Sequence, residues 1–373
     1  MLIRSSRLQM KDSNNSNLDF LRAAAVLFVL GGHLTYFRGI TRVGRLSIIP
    51  LGFWGVLVFF VHTCLVLMSS LERQRDQNGS DGLFITFMIR RCFRIFPLSI
   101  LVVAIIAILH LPMATLDPGR FTGANSTPWD IVCNLLLVQN VFKHVSILGP
   151  LWSLPYELQM YLLLPWLFIF LGSSRSILKT ILLWIGSVGL ASLALHYQWI
   201  PDLALYIPCF LPGVLAYQLM RSRRFQLPAF VWPFAVAALT IFALREVAWK
   251  YRWTATLVLG LAIPHFVPLT NRWIVVPSRL VAKYSYGIYL THFFSIWFAF
   301  EACHPLPRAE RWLLFLACAI GLPVLFYHAI EEPMINLGKT LADRVSGSRP
   351  PLSIGLKMGA VTPTPELSPQ EDR

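Results

Sequence analysis

Residues 18–34 read LDFLRAAAVLFVLGGHL, with an arginine (Arg22) and a histidine (His33) inside an otherwise apolar run rather than at its edges. Such a run approaches the ~20 residues that a bilayer-spanning helix needs. A charged side chain near a bilayer centre costs roughly 2.5–3.5 kcal/mol on insertion scales, so each of these groups needs a structural partner or a chemical task. Eleven residues of helix turn through about 1,100°, which is three full turns plus about 20°, so the two side chains share one face about 16 Å apart along the axis. That face carries a fixed positive charge at one level and a switchable base at another. In the plainer alternative, Arg22 reaches for headgroups or pairs with Asp19 at i, i+3, and His33 satisfies a backbone group in the bundle.

Composition decides that the run belongs to a membrane domain. The 373-residue chain is 56% hydrophobic and only 13% charged, about half the charged fraction of a soluble domain, and its mean hydropathy is +0.61. Ten apolar runs have lengths near those of membrane spans: 18–37, 50–71, 95–111, 152–171, 177–196, 202–220, 228–246, 253–269, 284–300 and 311–330. An eleventh, IVCNLLLVQNVF at 131–142, is too short to cross and reads as a re-entrant or interfacial helix. With a cytoplasmic N-terminus and that stretch not crossing, inner loops hold sixteen Lys and Arg and outer loops ten, Arg22 and the tail apart. Letting it cross would move Arg221, Arg223 and Arg224 outside and erase most of the bias. The expectation is an all-α polytopic membrane protein with about ten transmembrane helices in one bundle and both termini cytoplasmic. Residues 1–17 form a cytoplasmic segment, 18–333 the transmembrane domain, and 334–373, with little apolar content, a disordered tail.

The net charge of +14 is dispersed between apolar runs rather than gathered in one basic stripe, which argues against nucleic acid and for topology signals and anionic lipid. Six cysteines are scattered without CxxC pairs or metal spacing and read as core residues. The first apolar run is broken by Arg22 with no small-residue cleavage site after it, against a removed signal peptide.

Two further stretches bear on chemistry. FMIRRCFRIFP (87–97) leads the third run with Arg90, Arg91 and Arg94 close together. Arg91 and Arg94, at i, i+3, face the same way and can either anchor topology or donate to phosphates arriving from the cytoplasm. LWSLPYELQMYLLLPWL (151–167) opens the fourth run, with Trp152 in an outer aromatic belt and Glu157 just below it. His33 lies at a comparable depth in the first run, so the two form a candidate base and its orienting carboxylate.

These segments resemble the integral-membrane acyltransferase-3 family, whose members O-acylate sugars of surface polysaccharides, lipids and related acceptors. Residues 18–34 are similar to its Arg–ten residues–His signature, RRCFRIFP to its arginine motif, and LWSLPYELQMYLLLPWL to its Trp-Ser-Leu-x-x-Glu segment followed by Tyr and Pro. YSYGIYLTH (284–292) and IEEP (330–333) match two more landmarks in the expected order. One departure stands out: after GVLVFFV the family usually continues Ser-Gly-Phe, whereas His62, Thr63 and Cys64 follow here. The resemblance implies a multi-pass enzyme of a bacterial inner membrane that transfers an acyl group, acetyl being the commonest, from acyl-CoA to a carbohydrate or glycolipid hydroxyl, without a metal. Arg22, Arg91 and Arg94 would hold the donor's phosphates, and its pantetheine arm would run up the bundle. His33 would act as base or transient acyl carrier, with Glu157 orienting it or binding the acceptor. His62, Trp152, Ser153, Tyr161 and His292 would line the pocket, with Tyr289 and Glu332 in structural roles. A proton-coupled transporter or flippase is the competing class, since buried Arg, His and Glu also relay protons; no internal inverted repeat is evident in support of it.

Overall fold

The computed structural model describes residues 16–171, 177–197, 199–220, 225–246 and 248–346. Each of the ten apolar runs falls on a helix. In chain order these are α1 (Ser16–Phe37), α2 (Leu51–Asn78), α3 (Leu83–Leu109), a short α4 (Pro128–Leu135), α5 (Leu154–Leu171), α6 (Ile177–Ala194) and α7 (Leu203–Leu219). They continue as α8 (Val231–Arg245), α9 (Trp249–Ala262), α10 (Arg272–Trp297), α11 (Arg308–Phe326) and α12 (Glu332–Val345). Two small antiparallel hairpins join the helices, β1 (Arg42–Val43) with β2 (Leu46–Ser47) and β3 (Thr115–Asp117) with β4 (Arg120–Thr122).

Six helical stretches among the described residues are long and apolar enough to cross a membrane: α1, α2, α3, Gly149–Leu171, α6 and Arg308–Val345. The other helices on apolar runs differ in length or charge. α7 and α8 are apolar but have 17 and 15 residues, α9 has 14, and α10 carries Arg272, Arg279 and Lys283 in its first half. The chain is a helical, multi-pass membrane protein.

The helix α2 forms the centre of the bundle, with 72% of its apolar window buried against 11% for Arg308–Val345. It meets α1 through small residues. A Cβ on Gly32 would stand 2.5 Å from the Gly52 amide nitrogen, and one on Gly55 2.6 Å from the Ala25 carbonyl oxygen. Only glycine lets the two backbones approach this closely. The beginning of α1 is tied down by side chains: Ser16 Oγ donates to the Leu269 carbonyl at 2.6 Å, and Asn17 Oδ1 accepts from the Leu269 amide at 2.9 Å.

At the end of the bundle where α1 finishes, residues 110–153 form an elaborate connection. The β3–β4 turn uses Gly119 at φ +73°, and its amide donates to the Phe37 carbonyl at 2.6 Å. The eight-residue α4 spans about 12 Å and does not cross, in line with the reading of 131–142. Its first turn is closed reciprocally: Thr127 Oγ1 accepts from the Asp130 amide at 3.2 Å, and the Asp130 carboxylate accepts from the Thr127 amide and hydroxyl, each at 2.6 Å. That arrangement satisfies amides which the helix itself leaves free. The Thr127 hydroxyl first, its amide next, and then His144 at 2.8 Å hold the Asp130 carboxyl well below the usual carboxylate range. From there the chain dives into the bundle as a single 3-10 turn, Gly149–Ser153, whose Pro150, Leu151 and Ser153 are buried.

The expected unstructured tail is corrected in its first part. Helix α12 runs to Val345, held by Asp343 on Arg90 at 2.6 Å and by Gly338, which packs directly on Phe93. Low overall apolar content disguised it, because only a narrow stripe (Met334, Ile335, Leu341 and Ala342, around Gly338) faces inward. Residues 1–15, the cluster at 221–224 and residues 347–373 lie outside the described residues.

Candidate active site

Arg22 and His33 do share a face of α1, and both meet α10. Arg22 Nε donates to Ser285 Oγ at 2.7 Å, and Ser285 in turn donates to the Ala282 carbonyl at 2.9 Å. Two helical turns further along α10, His292 Nε2 lies 3.0 Å from His33 Nδ1. Phe293 stands edge-on to both imidazoles, with ring centres 4.9 Å from His33 and 5.1 Å from His292. The opposite edge of His33 faces α2 at Gly52, where a Cβ would lie 3.6 Å from Nε2.

Glu157 is not beside His33, contrary to the expected pairing. Its Oε1 accepts from the Tyr161 hydroxyl at 2.5 Å and from Thr63 Oγ1 at 3.3 Å. Thr63 is eleven residues along α2 from Gly52, about 16 Å, so the carboxylate stands at the level of Arg22 and not of the imidazole. With Trp152 in an outer aromatic belt, α5 would start at the membrane surface. It starts inside the bundle instead, after the buried turn, where Gly149 packs against the Phe293 ring and Ser153 shares a 2.6 Å hydrogen bond with the Tyr289 hydroxyl.

At this lower level a cavity of about 110 Å³, its apolar walls interrupted by charged side chains, opens between α1, α2, α3, α5 and α10. Arg22, Arg91, Arg94, His62, Thr63 and Glu157 line it, and Ser153 and Tyr289 form its roof below the imidazoles. Tyr289 donates to the Pro150 carbonyl at 2.6 Å, so the roof is itself hydrogen-bonded. Tyr161 completes the wall beside Glu157.

The arginines differ in how they are satisfied. Arg94 pairs with Glu331 at 2.8 Å, a carboxylate whose side chain is wholly enclosed. Arg91 lies over the Phe87 ring, and its Nε is buried with no hydrogen-bond partner among the described residues. A buried guanidinium with an unmet donor is suited to an anion that arrives from outside. Of the IEEP pair, Glu331 therefore serves the site, while Glu332 pairs with His328 at 2.8 Å.

The other pocket residues divide. His62 and Thr63 lie on the cavity wall, and Cys64 faces α7, where a Cβ on Gly213 would come 2.8 Å from that of Cys64. Glycine at 213 is thus what lets α7 approach α2 at the level of the His62-Thr63-Cys64 departure. Trp152 sits apart from the cavity in an aromatic cluster, parallel to Phe53 at 5.5 Å and close to Tyr206 at 5.6 Å. Arg252 lies over that same Phe53 ring at 4.2 Å. Ser285, Glu331 and Thr63 were not singled out as site residues from sequence, although each stands within or beside a motif that was quoted. Among the described residues no three His, Cys, Asp or Glu side chains converge as a metal site requires.

The site is thus a pocket with three arginines deep in a helical membrane bundle, with an imidazole pair above it. Residues 15–329 match the acyltransferase-3 family model, described as an acyltransferase domain, and the chain belongs to that family. It is an acyltransferase. No curated protein and no solved structure matches it.

Proposed function

We propose that the enzyme moves an acyl group, acetyl in the first instance, from acyl-CoA to a hydroxyl of a sugar or glycolipid in a bacterial inner membrane. The observation that carries this reading is the double engagement of α1 with α10. It stations an arginine-lined cavity about 16 Å from an imidazole along one helix face, with Arg22 at one end and His33 at the other. The donor enters on the cavity side, its phosphates meeting Arg91 and Arg22; Arg94, already neutralised by Glu331, adds less. The pantetheine arm passes Tyr289 and Ser153 toward His33. Ten crossings with both termini in the cytoplasm, and residues 18–333 as the catalytic domain, put the arginines on the side where acyl-CoA is made.

At His33 the chemistry has two balanced routes. In direct transfer the acceptor O–H gives its proton to Nε2 while its oxygen attacks the thioester carbonyl. The thiolate then leaves and takes that proton from the imidazolium. In the relay route Nε2 attacks the thioester and expels the CoA thiolate; the acceptor oxygen then displaces imidazole from the acyl-imidazole, and the acceptor's proton ends on the thiolate. Glu157, at the Arg22 level, balances the cations around the donor instead of serving the base.

The test is release of free CoA thiol, with binding of acetyl-CoA, by detergent-purified enzyme. His33→Ala is expected to abolish turnover while retaining binding, and Arg91→Ala to weaken binding. Wild-type protein that neither binds nor consumes acetyl-CoA refutes this choice of donor.

A further inference from the structure

We propose that His292 is a positioning residue which fixes the tautomer of His33, through a two-bond relay that leaves His33 Nε2 as the bare, reacting nitrogen. The consequence for catalysis rests on the acyl-transfer reading above, but the tautomer itself follows from geometry alone.

The relay starts at the α10 backbone. His292 Nδ1 lies 2.7 Å from the Tyr289 carbonyl oxygen and 3.2 Å from that of Ile288. Both partners are acceptors only, so Nδ1 carries the proton. A neutral imidazole has one N–H, which leaves Nε2 of His292 as a lone pair. That lone pair stands 3.0 Å from His33 Nδ1. Two lone pairs at this distance repel, so His33 Nδ1 donates, and in neutral His33 the proton is absent from Nε2. The Val29 carbonyl is a second acceptor for the His33 ring N–H; the contact with His292 Nε2 decides which nitrogen carries that proton.

The geometry then aims the bare nitrogen. His33 Nε2 faces α2 at Gly52, which puts no side chain against it. Phe293, edge-on to both rings, limits their rotation. When Nε2 takes a proton, the Nδ1–H bond to His292 is already in place and stabilises the imidazolium without a carboxylate. A histidine thus does what an aspartate does for the histidine of a serine-protease triad, where the wrong tautomer lowers kcat by about 10⁴. His292 touches neither reacting atom in this scheme and acts entirely through His33.

The experiment uses the full-length enzyme in detergent, labelled with ¹⁵N-histidine, beside His292→Gln and His292→Leu. In wild type the His33 Nε2 resonance is expected to be of the unprotonated type and Nδ1 of the protonated type. Leucine is expected to lower kcat by about 10²–10⁴ with KM for acetyl-CoA within about threefold, and glutamine, whose Oε1 replaces the Nε2 acceptor, to recover at least about tenfold. A protonated Nε2 in neutral wild-type His33 overturns the proposal. So do glutamine and leucine variants that are equally slow while unfolding at the wild-type temperature. If a variant does not fold, the wild-type resonances still decide. If wild type consumes no acyl-CoA, the reading of the reaction fails while the tautomer is still read independently.

Discussion

Replacing Gly52 with alanine separates folding from chemistry at His33. A Cβ there would lie 3.5 Å from His33 Cε1, 3.6 Å from Nε2 and 3.7 Å from the Val29 carbonyl oxygen. These are ordinary van der Waals distances, so the helix pair need not move. Gly52 is the second residue of α2, where exchanging glycine for alanine costs no helix propensity. Gly52→Ala should therefore unfold at or above the wild-type temperature. The acceptor oxygen, however, must come within about 2.6–3.2 Å of the base, and a methyl carbon keeps an oxygen about 3.3–3.6 Å away. With the methyl already beside Nε2, the sector facing α2 is closed to it. The expected loss is that of general-base catalysis, about 10²–10⁴ in kcat or roughly 3–5 kcal/mol of barrier. Gly32→Ala is the contrasting control, since its Cβ would stand 2.5 Å from the Gly52 amide nitrogen, inside any tolerable contact. It should lower the unfolding temperature and activity together. The assay is acetyl-CoA turnover beside thermal unfolding in detergent. Wild-type kcat in Gly52→Ala would falsify the approach of substrate along this edge.

Three further outcomes follow from contacts elsewhere. Glu331→Gln strands the Arg94 charge and should cost about 3–5 kcal/mol, whereas Arg94→Leu combined with Glu331→Leu should recover most of it; unfolding temperatures of the two variants beside wild type decide. Thr63→Val removes a 3.3 Å hydrogen bond to Glu157 at nearly constant volume and should cost about 0.5–1.5 kcal/mol, with Thr63→Ser close to wild type. The Asp130 carboxyl titrates below its ordinary range in the folded protein, so its stabilisation is complete above the unfolded-state pKa of about 3.9 and is lost as pH falls through the lower folded value. Asp130→Asn should therefore be less stable than wild type at pH 7, with the gap closing in acid; a constant gap from pH 7 to pH 2 would contradict that assignment.

Much of the architecture is legible because helical periodicity and apolar length are local properties. The shared face of Arg22 and His33 follows from spacing alone, and it survives as two bonds to one neighbouring helix. Depth is different. Glu157 looked level with His33 only if α5 began at the surface, and nothing local in LWSLPYELQ reveals that the preceding turn is buried. Register is a second blind spot. Of Glu331 and Glu332, the inward residue is decided by the π-helical turn Tyr327–Glu331, where one residue rotates the face by about 100°. Pairing is a third. His292 was legible as a pocket residue, but its partner lies 259 positions earlier, beyond the reach of any periodicity argument.

That last separation has a consequence for how the enzyme comes into being. His33 is made with the first helix, yet its partner belongs to α10, so most of the chain must leave the ribosome before the pair can close. Arg22 waits still longer in sequence for Ser285, 263 positions away. Closing loops of this length is slow but adds little further entropy per residue, so the delay is one of translation rather than of stability. A growing or prematurely terminated chain that ends before α10 carries the histidine and the cation without the helix that organises either. Activity thus arrives late and all at once, and in the meantime the bilayer holds an unarmed precursor.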